Sequence, residues 1–159
     1  MSAVTLEAYR PEDLEELIPM WRESFEHGVG IVDGHPIEEQ RAHFLDDVLP
    51  KCTVLVARLD GRLVGFIAAS PDSIRQLYVR KGLHRQGIGS RMLQWAMDQS
   101  GGSLWLYTFA RNAVACAFYE RHGFRVAARG HEPNWKLDDV RYEWSREGPK
   151  ALKSLHAIP

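Results

Sequence analysis

The sequence lacks most of the features that mark specialised protein classes. It has two cysteines in 159 residues. Cys52 and Cys116 could form one bridge at most, so a disulfide scaffold is excluded and reduced thiols are expected. No apolar run approaches the roughly 18 residues of a membrane span, and no membrane partner is expected. The opening stretch from Met1 to Glu7 has neither the basic nor the apolar region of a signal peptide, which predicts a cytoplasmic location. Charge of one sign is missing too. The 20 Lys and Arg balance 21 Asp and Glu for a net charge of −1, whereas a nucleic-acid binder carries a clear basic excess. What remains is a chain that is 45% hydrophobic and 26% charged, long enough to bury about two-thirds of its unfolded surface as one domain without a metal.

The hydrophobic pattern divides the chain into alternating strands and helices. Val4 to Tyr9 alternates as a half-buried strand does. Leu14, Leu17, Ile18, Trp21 and Phe25 form a helical stripe, and Pro19 inside it predicts a kink or two short helices. Gly28 to Pro36 reads as a loop, followed by a helix with Ile37, Arg41, Phe44, Leu45 and Val48 on one side. Thr53 to Arg58 and Leu63 to Ala69 are apolar runs joined by Asp60-Gly61, a hairpin signal. Ser73 to Val79, Leu104 to Phe109, Phe124 to Ala128 and Val140 to Ser145 read as further strands. A helix through Met92, Leu93, Ala96 and Met97 ends at Gly101-Gly102, and another runs from an Asn112 cap to Gly123. The order β-α-α-β-β-β-α-β-α-β-β predicts an α/β fold, a mixed central sheet with helices on both faces. Residues 1–147 are expected to form the domain and 148–159 a tail.

The stretch Leu77-Tyr78-Val79-Arg80-Lys81-Gly82-Leu83-His84-Arg85-Gln86-Gly87-Ile88-Gly89-Ser90 carries a strand end, a glycine-containing loop and a helix start. Free N–H groups and the macrodipole make a helix N-terminus attractive to anions, and glycines allow close backbone approach. Arg80, Lys81, Arg85 and Arg91 add positive charge nearby. The stretch is not a P-loop, since Gly89 is followed by Ser90 and Arg91. It is not a dinucleotide fingerprint either, since position 92 is Met. Alone, such a loop also serves simply as a tight turn that packs a helix on a strand.

A second segment adds to this: Asn112-Ala113-Val114-Ala115-Cys116-Ala117-Phe118-Tyr119-Glu120-Arg121-His122-Gly123-Phe124. Together the two segments resemble the GNAT superfamily of acyl-CoA-dependent N-acyltransferases. The family's later helix has the form Asn-x-x-Ala-x-x-Phe-Tyr-Glu-x-x-Gly-Phe, matched at Asn112, Ala115, Phe118, Tyr119, Glu120, Gly123 and Phe124. Its pyrophosphate loop, Gln/Arg-x-x-Gly-x-Gly/Ala, is matched at Gly87 and Gly89, with His84 in place of Gln or Arg. That departure implies weaker cofactor binding, since a neutral histidine donates one hydrogen bond.

The resemblance implies a transfer of acetyl from acetyl-CoA to a primary amine by direct attack in a ternary complex, with no metal. The backbone of Leu77, Tyr78 and Val79 would pair with the pantetheine arm. His84, Arg85, Gln86, Gly87, Ile88, Gly89 and Ser90 would hold the pyrophosphate, and Asn112 would cap its helix or touch the pantetheine. Tyr119 would protonate the departing thiolate. The aromatic pair Phe118-Tyr119 also has a plain core reading, as does Cys116. Trp21, Glu26 and His43 are candidates for the acceptor site, with Glu26, His27 and His43 as candidate bases. His27, His35 and His43 do not share one helical face, which argues against a metal site. His131 and Trp135 read as solvated loop. A homodimer is common in the family, the acceptor is a small-molecule or peptide amine, and the alternative is a non-catalytic acyl-CoA-binding or sensing module.

Overall fold

The computed structural model describes residues 3–148. Two antiparallel sheets form the frame. The first has the order β1-β2-β3-β4, built from Thr5–Ala8, Thr53–Leu59, Arg62–Ala69 and Ile74–Val79. The second has the order β5-β7-β6, from Ser103–Phe109, Leu137–Ser145 and Arg125–Glu132. One parallel bridge, Ser73 to Trp105, joins them. Beyond it β4 and β5 share no further ladder among the described residues, so the expected central sheet is split into two leaves that meet at one end. The mixed α/β class is as the sequence predicts.

The hairpin between β2 and β3 turns on Asp60 and Gly61, with φ of 53° and 77°. Two positive φ values in a two-residue loop match the right-handed twist of the flanking strands. β3 is buried along almost its whole length because helices cover both faces of the first sheet. Leu63, Phe66 and Ala68 join the core cluster of the first helix, α1 (Leu14–Val29), while Val64, Ile67 and Ala69 join that of α4 (Ile88–Gln99). Alternation along the strand, reset by a bulge at Val64, sorts these side chains into two cores.

α1 runs unbroken through Pro19, after a 3-10 turn at Pro11–Asp13. The expected division into two helices does not occur. Proline forfeits a single backbone hydrogen bond, and burial of Leu17, Ile18, Met20, Trp21 and Phe25 on one stripe holds the helix together. The second helical segment begins as α2 (Ile37–His43), continues as a π-helical stretch Phe44–Val48 and ends in a short turn, α3 (Leu49–Lys51). The wider turn keeps Phe44 and Val48 fully buried and leaves Leu45 39% exposed, so Leu45 is not on the core side as expected. α5 (Ala113–Arg121) begins at Asn112, whose side chain accepts from the Ala115 N–H. β6 and β7 extend further than the apolar residues alone suggested and form a long hairpin, whose tip contains Lys136 at φ 56°. Of the predicted tail, residues 149–159 lie outside the described residues.

Candidate active site

Because β4 and β5 part after Ser73, the edge of β4 opposite β3 has no strand partner in the fold. The Arg80 N–H donates to the Val64 carbonyl, which fixes the alternation along β4. Tyr78 turns its N–H and C=O towards β3, and Leu77 and Val79 turn theirs to the open edge. Leu77 faces a cleft of about 860 Å³ whose walls come from α1, α2, β4, β5, α5 and the β6–β7 hairpin.

Tyr119 comes into this cleft from α5, on the same helix face as Ala115 and one turn further on. Its ring is 6% exposed and packs against Phe118, Phe124 and Tyr142. Burial raises its pKa above the ordinary phenol value, and the nearby Tyr78 and Cys116 add to the rise. The hydroxyl is therefore a neutral donor at physiological pH. Asn112 lies on the same wall. A Cβ on Gly28 would meet its Nδ2 at 2.8 Å, so the glycine lets α1 approach the start of α5.

The loop between β4 and α4 stands beside the cleft, not in its wall. Gly87 caps α4 with φ 81°, and nothing lies within 4 Å of where its side chain would begin. No side chain at Gly87 covers the first-turn amides, and free helix-start amides attract anions. Gly89 has a different task, since a Cβ there would press on the Phe118 ring at 3.3 Å. Ile88 is buried in the core, and the Ser90 hydroxyl bridges to His122 Nε2 at 3.0 Å. Four basic residues were expected near the phosphate. Two are engaged elsewhere, because Arg80 donates to the Leu63 carbonyl and Arg91 to that of Val4. Lys81, His84, Arg85 and Gln86 are exposed. His84 stacks on His27 at 6.4 Å, and its pKa is lowered by burial and by that neighbour.

On the far side of the cleft, Trp21 and His43 lie on the wall as the sequence suggested. Glu26 does not, because its carboxylate accepts the Asp33 N–H at 2.7 Å and fastens the loop after α1. Trp135 reverses its expectation as solvated loop. It packs against Phe25 at 5.0 Å, His35 at 4.8 Å and Phe109 at 6.2 Å and forms part of the wall. His131 is exposed and pairs with Asp138, as a surface residue does. The sequence reading missed Arg22, Asp33, Arg75 and Asp139, which also face the cleft. Arg22 pairs with Asp33 at 3.4 Å, and Arg75 pairs with Asp47 at 2.5 Å. No sequence signal marks them, since each contact joins separate segments.

The split sheet, the open helix start and the buried phenol converge on one cleft, and the family model for the GNAT family of acetyltransferases matches residues 14–124. The chain belongs to that family and is an N-acetyltransferase by class. It is 26% identical over 138 residues to the peptidyl-lysine N-acetyltransferase YjaB of Salmonella typhimurium, spanning 86% of this chain and 90% of that one. The fold superimposes with a TM-score of 0.73 on the PaiA N-acetyltransferase of Thermoplasma acidophilum, solved with coenzyme A, at 23% identity and covering 90% and 99% of the two chains. The apo form of YjaB from Escherichia coli gives the same TM-score at 20% identity, covering 92% and 99%. Among the described residues no helix is long and apolar enough to cross a membrane, and no three His, Cys, Asp or Glu side chains group as a metal site would require.

Proposed function

We propose that the protein transfers an acetyl group from acetyl-CoA to a primary amine, of a small molecule or a peptide lysine, by direct attack in a ternary complex. Acetyl-CoA supplies the acetyl group as an activated thioester. The open amides and carbonyls of Leu77 and Val79 pair with the amide groups of its pantetheine arm as an added strand would. The amides of the loop from His84 to Gly87 and of the first turn of α4, Ile88 to Ser90, hold its pyrophosphate, with Lys81 and Arg85 adding charge. The acceptor enters from the side of Trp21, His43 and Trp135. Residues 1–147 make up the catalytic domain in this reading.

Tyr119 acts as the general acid. The attacking nitrogen forms its bond to the carbonyl carbon, the C–S bond breaks, and the phenol proton passes to sulfur. A free thiolate conjugate has a pKa of roughly 8.5 to 10, below that of the buried phenol. However, the thiolate leaves into the same desolvated space, which opposes its charge and drives it to take the proton. The observation that carries this reading is the position of a buried, neutral phenol across the cleft from the unpaired edge of β4. Support also comes from the family membership and from a structural neighbour solved with coenzyme A. Thiol release from acetyl-CoA in the presence of a panel of small amines and a lysine peptide tests it. Amine-dependent thiol release is expected, and binding of acetyl-CoA with no turnover on any amine would contradict it.

A further inference from the structure

The net reaction moves one proton from the attacking nitrogen to the leaving sulfur, so the acceptor half of the cleft needs a group that can take it. Glu26 is turned to the Asp33 amide and His43 faces Asp47 at 3.7 Å. Tyr78 is placed differently. It lies on β4 between Leu77 and Val79, the two residues with open amides, and alternation turns its side chain to the opposite face from theirs. Leu77 and Val79 belong to the core beneath α4, whereas Tyr78 packs with the cluster beneath α1, where the acceptor enters. Its ring is wedged between Phe66 at 6.1 Å and Trp21 at 6.5 Å. Both Tyr78 and Tyr119 line the cleft, one from each side of the β4 edge.

We infer that Tyr78 is a second catalytic residue, a phenol that passes the proton of the attacking amine on to Tyr119. The inference rests on the reading of Tyr119 given above. As the N–C bond forms and the C–S bond breaks, the electron pair of the latter goes to sulfur. The amine proton moves to the Tyr78 oxygen, the proton of Tyr78 passes through water in the cleft to the Tyr119 oxygen, and that of Tyr119 goes to sulfur. The ammonium form of the acceptor first loses one proton to water, the relay carries the second proton to sulfur, and both phenols finish neutral. Burial pushes Tyr78 up to about 12 even with the Trp21 indole N–H working against the rise, so it is protonated and can accept and donate in one motion. Tyr78 also contributes to the raised pKa of Tyr119, as a group in a shared low-dielectric space does.

The test compares Tyr78→Phe, Tyr119→Phe and the double variant in kcat on one small amine, in coenzyme A affinity and in melting temperature. Residues acting as a unit are non-additive. Tyr78→Phe is expected to lower kcat at least tenfold with coenzyme A affinity within about twofold. The double variant is expected to be no more than about threefold slower than the slower single variant. Retention of kcat in Tyr78→Phe, or losses that multiply in the double variant, would overturn the relay while leaving the acid role of Tyr119 standing. Retention of kcat in Tyr119→Phe would overturn that role and the relay with it. Should Tyr78→Phe melt early, a proton inventory of kcat in mixed light and heavy water on the unaltered protein decides: a curved inventory, from several protons moving together, is expected, and a linear one overturns the relay.

Discussion

The Tyr142 hydroxyl donates a 2.6 Å hydrogen bond to the Glu120 carboxylate, tying the centre of β7 to the last turn of α5. Tyr142 is 1% exposed and packs against Tyr119 at 6.0 Å, so this bond fixes the wall behind the Tyr119 phenol. It also gives Glu120, the residue after Tyr119 in the helix motif, a structural task. Removing the acceptor leaves a buried hydroxyl without its partner. Glu120→Ala is expected to lower the unfolding free energy by about 1–2 kcal/mol, measured by urea denaturation, with Glu120→Gln intermediate. An unchanged midpoint for Glu120→Ala would show that the bond contributes nothing in solution.

The two glycines of the loop should respond differently. At Gly87 an alanine finds open space but must adopt φ 81°, a strain of about 1–2 kcal/mol for a residue with a Cβ. Gly87→Ala is therefore expected to weaken coenzyme A binding by deforming the start of α4 while leaving the α4–α5 contact intact. At Gly89 the backbone is helical and the added methyl meets Phe118 instead. Gly89→Ala is expected to lower the melting temperature, and pairing it with Phe118→Leu should restore much of the loss. Calorimetric titration and thermal melts of the three variants check both statements.

Arg75 is held towards the cleft by Asp47, whose carboxyl is lowered to about 2 by hydrogen bonds from Lys51 and Arg75. A carboxylate with a depressed folded pKa adds stability that is present above its unfolded pKa near 4 and lost as pH falls through about 2. Carbon-detected NMR of Asp47 should therefore show a titration midpoint near 2. A midpoint near 4 would mean that the pairs with Lys51 and Arg75 do not persist in solution.

What the sequence disclosed was local. The Asn112 cap, the helix face that carries Tyr119, the Asp60-Gly61 turn and the Gly87 helix start each depend on residues within a few positions of one another, where spacing and backbone preference suffice. Trp135 could not be read in that way. Its partners Phe25, His35 and Phe109 come from three separate segments, and only the length of the β6–β7 hairpin brings them together. The same holds for Arg75, whose partner Asp47 sits on a π-helical turn that no hydrophobic period announces. Glu26 was misread because an acid at the end of a helix is as able to fasten the next loop as to reach a substrate, and the Asp33 amide decides between them. Splitting of the sheet was hidden for a related reason, since divergence of β4 from β5 is set by packing beyond the Ser73 bridge.

Delivery of a proton from Tyr119 to the leaving sulfur is the central step of the proposed reaction. Steady-state acetylation by Tyr119→Phe, with coenzyme A affinity measured on the same preparation, is the direct test. Loss of the hydroxyl alone is predicted to lower kcat at least tenfold while the dissociation constant of coenzyme A stays within about twofold. A variant that turns over at the parent rate would contradict the account.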